Sequence, residues 1–362
     1  MIKAKKILKI LKDNNISFIT GVPDSVLKSF TNELSYNKFF SHLIVPNEGT
    51  AIASGIGYNL ATNKIPLIYF QNSGLGNAIN PLISLTNKKI YSTAFLYFIG
   101  WRGATGTKDE PQHIPNGKIT KKLLNLLDIQ YHEVNSDKDL KKISLAIKLV
   151  KKNIPQCILF KKDKIYGNKT MKKNSFKLSK EDVFNQIYKN CKNKTYIFCS
   201  TGFNSRSLYN YNKSNPNRKI KCFYLVGGMG HTFGVANIFA SLKKNNKIIC
   251  IDGDGSLLMH LGSLNLNKSI KSKLTYILLN NNCHDSVGGQ NTYIKNLNLE
   301  KLSKIFGFKK YYKCSKNIHL KNNFKYIKND TDNIFYDCLI RNETKKLPRP
   351  DEFIKIKNDF MI

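Results

Sequence analysis

Short runs of Ile, Leu, Val, Phe and Tyr, each too brief for a helix, alternate along this chain with stretches whose apolar residues recur at helical spacing. Few folds accept such text. Strands separated by helices pair in parallel, and a parallel sheet needs helices on both faces. The first series has a helix over about Lys3–Asn14, strand Ser17–Thr20, turn Gly21–Ser25, helix Val26–Leu34, strand His42–Val45 and a small-residue helix from Glu48. Strand Pro66–Phe70, a Gly-rich turn Gln71–Asn77, strand Ala94–Ile99 and a long polar loop Gly100–Gly117 follow, then helix, strand, helix and strand Gln156–Phe160. A second series begins after polar text, with helix Glu181–Cys191 and strands at Thr195–Cys199, Cys222–Val226, Lys247–Ile251, Leu274–Leu279 and Ile334–Arg341. The pattern predicts an α/β chain of two doubly wound parallel-sheet domains: 1–165, a linker over 166–179, and 180–362.

Length agrees, since 362 residues exceed one ordinary α/β core. Apolar runs never approach the roughly 20 residues that span a bilayer, and the N-terminal lysines interrupt any signal-peptide core, so a cytoplasmic protein off the membrane is expected. Lys and Arg outnumber Asp and Glu 59 to 24, a net charge of +35. That excess is mostly lysine scattered along the chain without a nucleic-acid-binding motif, which argues against a nucleic-acid partner. Arginine is scarce, which draws attention to Arg102 and Arg206 in glycine-rich segments. The eight cysteines form no Cys-x-x-Cys pair and read as buried thiols.

Chemistry concentrates where apolar runs end. Lys247–Ile251 runs into Gly253-Asp254-Gly255-Ser256, and Leu274–Leu279 delivers Asn280-Asn281. Both sets of oxygen ligands leave the carboxyl ends of strands, where α/β sheets bind ligands, and a glycine-flanked Asp opening a helix can hold a metal against a diphosphate. Ordinary turns use the same dipeptides, so the tandem arrangement carries the signal.

These residues resemble the thiamine diphosphate enzymes, whose signature is Gly-Asp-Gly followed some 25 to 30 residues later by Asn-Asn; here 281 − 254 = 27. The resemblance implies thiamine diphosphate and Mg2+ as cofactors, with Asp254, Asn281 and the backbone carbonyl of Cys283 as metal ligands. It also implies cofactor contacts from Gly202, Gly228, Gly230, His231, Gly253, Gly255 and Ser256. Glu48 resembles the family carboxylate that faces the pyrimidine ring, and Met229 the apolar residue that bends the cofactor. The segments Gly21–Ser25, Gln71–Asn77, Ile99–Gly103, Lys108–His113, His284–Gln290 and Leu347–Pro350 are similar, in order, to the branch acting on phosphonopyruvate and sulfopyruvate. Ala104-Thr105 and Ile114–Asn116 depart from its pattern.

That branch implies a small-molecule substrate, phosphonopyruvate, decarboxylated within phosphonate biosynthesis, with sulfopyruvate as the alternative. It also implies no middle domain, and a homodimer or larger homo-oligomer whose sites form between subunits. A non-catalytic basic binding protein on the same fold is the remote alternative. For a multiply anionic substrate Arg102 is the first cationic candidate, followed by Arg206 and Lys108, with Ser25 and Asn72 lining the pocket. His113 and His284 are candidates for proton transfer beside Glu48, with Asp109, Glu110 and Asp285 orienting them.

Overall fold

A computed structural model describes residues 1–167, 174–191, 194–270, 272–329, 333–343 and 347–361. The chain divides into two units: Met1–Met171 with Val287–Gln290, and Lys172–Ser286 with Asn291–Ile362. Part of the expected linker, 168–173, lies outside the described residues.

The first unit contains, in order, β1 (Ile2–Lys3), α1 (Ala4–Asp13), β2 (Phe18–Gly21), α2 (Lys28–Leu34), β3 (Ser41–Ile44), α3 (Glu48–Thr62) and β4 (Leu67–Gln71). Next come α4 (Leu75–Pro81), β5 (Leu96–Trp101), α5 (His113–Leu126), β6 (Gln130–Glu133), α6 (Lys141–Val150), β7 (Gln156–Lys161) and β8 (Ile165–Tyr166). Six strands form a parallel sheet in the order β3-β2-β4-β5-β7-β6, while β1 and β8 pair separately. Every residue of β5 is buried, whereas the edge strands β3 and β6 are partly exposed, so apolar text is continuous only at the sheet's centre.

The second unit contains α7 (Lys180–Asn190), β9 (Thr195–Cys199), α8 (Phe203–Ser214), β10 (Ile220–Tyr224), α9 (Thr232–Leu242), β11 (Lys247–Gly253) and α10 (Asp254–Met259). It continues with α11 (Leu266–Ser269), β12 (Thr275–Asn280), α12 (Leu299–Ile305), β13 (Lys310–Cys314), α13 (Asn317–Asn329), β14 (Ile334–Leu339) and α14 (Phe353–Met361). Its sheet, β10-β9-β11-β12-β14-β13, is again wholly parallel. Numbered within each unit's six-stranded sheet, both orders read 2-1-3-4-6-5. Each sheet reverses its winding twice, and the first reversal, beside β2 and β4 in one unit and β9 and β11 in the other, opens a crevice at the carboxyl ends.

Some local expectations shift. The loop expected over Gly100–Gly117 is shorter, because β5 extends to Trp101 and α5 begins at His113. Pro115 is compatible with this start, since the first helical turn has no intrahelical use for its missing N–H. The Leu347–Pro350 tail leads into α14, whose Phe360 packs with Tyr196, Phe198, Phe223 and Phe239. All eight cysteines are free, seven of them buried.

Close approach fixes the first unit's carboxyl edge. A Cβ on Gly100 would lie 1.7 Å from Asp24 Oδ2 and 2.9 Å from Val26 Cβ. Asp24 is fully buried, accepts from the Leu27 N–H at 3.1 Å, and is pushed up to about 6 by desolvation. Gly100→Ala should therefore destabilise the protein by about 1–3 kcal/mol. Urea unfolding reads this directly, and an unchanged midpoint would contradict the packing.

Candidate active site

In the first unit, Asn47 caps α3 by accepting from the Thr50 N–H at 2.9 Å, which places Glu48 in the first helical turn. The Glu48 side chain is buried, and desolvation raises its pKa against the opposing hydrogen bond from Asn77. Asn77 Nδ2 donates to Oε2 at 2.8 Å. The turn after β4 closes over the same carboxyl group: a Cβ on Gly74 would lie 2.2 Å from Oε1. Glu48 is thus shielded from water, which favours its protonated form relative to a free carboxyl group.

Arg102 lies at the end of β5 and is also buried. Asn72 holds its backbone from both sides, accepting from the Arg102 N–H at 3.0 Å and donating to its carbonyl at 2.9 Å, while also donating to Thr120 Oγ1. The guanidinium donates to Asp109 through Nε and Nη2, to Glu110 through Nη2 at 2.9 Å, and to Ser25 Oγ through Nη1 at 2.9 Å. Asp109 accepts in addition from the Gly103 N–H; desolvation raises its pKa, but Arg102, the Gly103 N–H and His113 together bring it below the usual carboxylate value. From the sequence, Arg102 is the first cationic candidate for the substrate. The structure makes it the centre of an acid-rich cluster that includes His113, whose ring lies close enough to Asp109 and Glu110 for the three to approach one cation. Lys108, by contrast, is exposed.

In the second unit, β11 hands its last residue directly to α10, with Asp254 in the first turn. Asp254 Oδ1 accepts from the Gly255 N–H at 3.0 Å and Oδ2 from Thr292 Oγ1 at 2.8 Å. Desolvation, reinforced by the charge of Asp285, pushes its pKa up to about 7. Among the described residues no Lys or Arg pairs with it. Thr292 had no signal in the sequence. The preceding Asp252, also buried and pushed up to about 6 by desolvation, accepts from the Gly253 N–H and Tyr276 OH.

The two asparagines after β12 divide. Asn280 turns to its sheet neighbour, donating to Asp337 Oδ1 at 2.9 Å. Asn281 Oδ1 accepts from the Cys283 N–H at 3.1 Å, and the Cys283 carbonyl accepts from the Asp285 N–H. Each oxygen retains a second lone pair. A buried carboxylate without a basic partner, an amide oxygen and a carbonyl form a hard donor set, which fits Mg2+.

A diphosphate also fits the neighbouring turn. Gly228 and Gly230 have φ of +58° and +86°, nothing would crowd a Cβ on Gly228, and Ser256 Oγ accepts from the Gly230 N–H at 2.9 Å. Met229 and His284 both lie over Gly255, whose added Cβ would meet them at 3.3 and 2.8 Å. Gly202, at φ +85°, opens α8, where Arg206 stacks over Phe203 at 5.4 Å. His231, at the start of α9, stacks on His260 with centroids 4.5 Å apart. The structure therefore gathers Gly228, Met229, Gly230, Gly255, Ser256 and His284, with Asp254 following Gly253 in the same turn. Arg206 is engaged with its own helix.

Packing holds His284 neutral, with desolvation moving its pKa down to about 4. An unfolded histidine takes up its proton near 6.5, so folding resists protonation of this ring. Stability relative to His284→Asn should accordingly fall as pH drops from 6.5 toward 4. An NMR titration of the ring should give a midpoint of about 4, and a value near 6.5 would contradict the burial.

Residues 2–122 match the thiamine pyrophosphate enzyme N-terminal TPP-binding domain, and residues 200–333 match the C-terminal TPP-binding domain. The chain is 27% identical to the phosphonopyruvate decarboxylase of Streptomyces viridochromogenes over 336 residues, covering 87% of this chain and 82% of that protein. It is 38% identical to the sulfopyruvate decarboxylase subunit alpha of Methanococcus maripaludis over 128 residues, 35% of this chain and 74% of that subunit. To the subunit beta of Methanocaldococcus jannaschii it is 36% identical over 129 residues, 35% of this chain and 65% of that subunit.

Proposed function

The chain belongs to the thiamine pyrophosphate enzyme family, as a decarboxylase, and from that premise we propose that it converts 3-phosphonopyruvate to phosphonoacetaldehyde and CO2 with Mg2+. The observation that carries this reading is a single alignment running through 87% of the chain. Sulfopyruvate is the second reading, favoured by the higher identity to each sulfopyruvate decarboxylase subunit. Both substrates pair a keto acid with a further anion. Comparing CO2 release from the two keto acids tests the choice: preference for sulfopyruvate would overturn the first reading.

Thiamine diphosphate, when bound, supplies the electron sink that takes the bonding pair as CO2 leaves. Asp254, Asn281 and the Cys283 carbonyl hold Mg2+. Gly202, Gly228, Gly230, His231, Gly253, Gly255 and Ser256 line the place for the diphosphate; the Gly230, His231, Gly253 and Gly255 N–H groups already donate within the protein, so the open turn at Gly228 allows the close approach. Met229 gives the cofactor an apolar support. Glu48, kept dry and with a raised pKa, holds a proton for the pyrimidine ring nitrogen. His284 remains uncharged and would relay a proton to the carbon that loses CO2, its ring N–H donating while its other nitrogen takes a proton from water, with His113 as the other candidate.

Substrate selectivity lies with the first unit's cluster. Arg102 is already forked onto Asp109 and Glu110, so its part is to hold the 108–113 segment together with Ser25 and Asn72. Lys108, the exposed cation of that segment, then serves the phosphonate, and Arg206 is the weaker cationic candidate. The apolar stripe Val235, Ile238 and Leu242 on α9 supports assembly with a second copy. No described helix is long and apolar enough to cross a membrane, which accords with a cytoplasmic site for phosphonate biosynthesis.

Glu48→Gln should bind thiamine diphosphate in calorimetry yet lose at least about 100-fold in kcat; near-normal turnover would remove Glu48 from the chemistry. Lys108→Ala should raise KM for phosphonopyruvate by about tenfold, the loss of one charge-assisted contact, with kcat little changed. Arg102→Ala should lower kcat as well. If instead Arg102→Ala raises KM alone and Lys108→Ala does nothing, Arg102 binds the anion directly.

A further inference from the structure

Asp285 was expected to orient a histidine, but its bonds run elsewhere. Its carboxylate accepts from Asn281 Nδ2 at 2.7 Å, Asn342 Nδ2 at 2.8 Å, the Glu343 N–H at 3.2 Å and Cys283 Sγ at 3.2 Å. Four donors occupy the roughly four lone-pair positions of a carboxylate. Little capacity is left for moving a proton or for holding an imidazole.

An asparagine amide has two ends of opposite character, and only the oxygen can ligate a cation. Rotation by a half turn would present the NH2 group instead. At Asn281 both ends are specified: the Cys283 N–H requires oxygen on one side and the Asp285 carboxylate requires nitrogen on the other. The specification is itself anchored. Asn342 Oδ1 accepts from the Asn174 N–H at 2.6 Å, while Asn174 Nδ2 donates to the Asn281 carbonyl at 2.9 Å and to the Ile340 carbonyl at 3.1 Å. Chain entering the second unit and chain following its last strand, β14, thus both grip the loop that carries Asn281 and Cys283.

We propose that Asp285 is a positioning residue for the metal site: it locks the Asn281 amide with Oδ1 presented to Mg2+, and Asn342 and Asn174 fasten that lock to the ends of the unit. The inference rests on the reading of Asp254, Asn281 and the Cys283 carbonyl as metal ligands. Partners that orient a ligand without touching the ion commonly change metal affinity 10–100-fold when removed.

The test is Mn2+ binding to the protein with saturating thiamine diphosphate, read by electron paramagnetic resonance and independent of turnover. Asp285→Ala should weaken Mn2+ binding by about 10–100-fold. Should that variant fail to fold, Asp285→Asn carries the test, because its new NH2 group would face that of Asn342 and disorder the lock. Adding Asn342→Asp restores a donor–acceptor pair at that contact and should bring affinity back to within about threefold of wild type, a rescue that loss of packing alone would not give. Wild-type affinity in Asp285→Ala, or absence of rescue in the double variant, would overturn the proposal while leaving the metal site itself intact. Failure of wild type and Asp254→Asn to differ in Mn2+ uptake would instead overturn the metal ligands, and this inference with them.

Discussion

Burying Asp254 opposes its ionisation, and the protein's own groups offset this only in part. A hydroxyl and one backbone N–H donate to the carboxylate, while Asp285 adds negative potential from the same side. The α10 N-terminus helps, but a first-turn helix contribution is typically below about 1 kcal/mol at exposed sites. A divalent cation would relieve this state. Much of the second unit's carboxyl edge follows from this constraint. Gly253 and Gly255 let the turn pack tightly, Ser256 ties it to Gly230, and the asparagine loop is fastened from both of its flanks.

Charge is handled differently in the first unit. Arg102 follows β5, and Asp109 and Glu110 take up its Nε and Nη2 donors. Two carboxylates against one guanidinium would repel a dianionic substrate if they stood alone. The scattered lysines give the whole molecule a positive field that favours anionic ligands, and an exposed lysine can meet a phosphonate without first breaking a buried ion pair. The cluster is also held in place: Asn72 fixes the Arg102 backbone, and Trp101 donates to the Gly117 carbonyl to hold the start of α5.

The strand–turn–helix text exposed the fold because both sheets are parallel and their central strands are buried on two faces. Gly253–Ser256, Asn281 and Glu48 were legible for the same reason: each lies at a strand's carboxyl end, where local sequence determines position. What remained hidden depends on tertiary pairing. Thr292 and Asn342 stand in polar text with no motif, and each gains meaning only through a carboxylate tens of residues away. The partners of Arg102 were visible as neighbours in sequence, but the direction of its guanidinium was not. The terminal helix α14 also escaped notice, since a short amphipathic segment after Pro350 reads as a tail until Phe360 finds its aromatic partners.

Glu48 and Asp254 occupy matching positions in their units. Both open a helix in its first turn, both are buried, and desolvation raises the pKa of each. Position alone would give them the same chemistry, so their neighbours must separate them. Glu48 has an amide NH2 at Oε2 and a glycine turn closed over Oε1, surroundings that a single proton can complete. Asp254 stands next to the end of β12, in register with β11, from which an amide oxygen and a carbonyl extend. A proton satisfies one oxygen, whereas a divalent ion satisfies several at once. Under the proposed function, the same buried first-turn carboxyl group serves as a proton holder in one unit and a cation ligand in the other, because only the second is supplied with further oxygens.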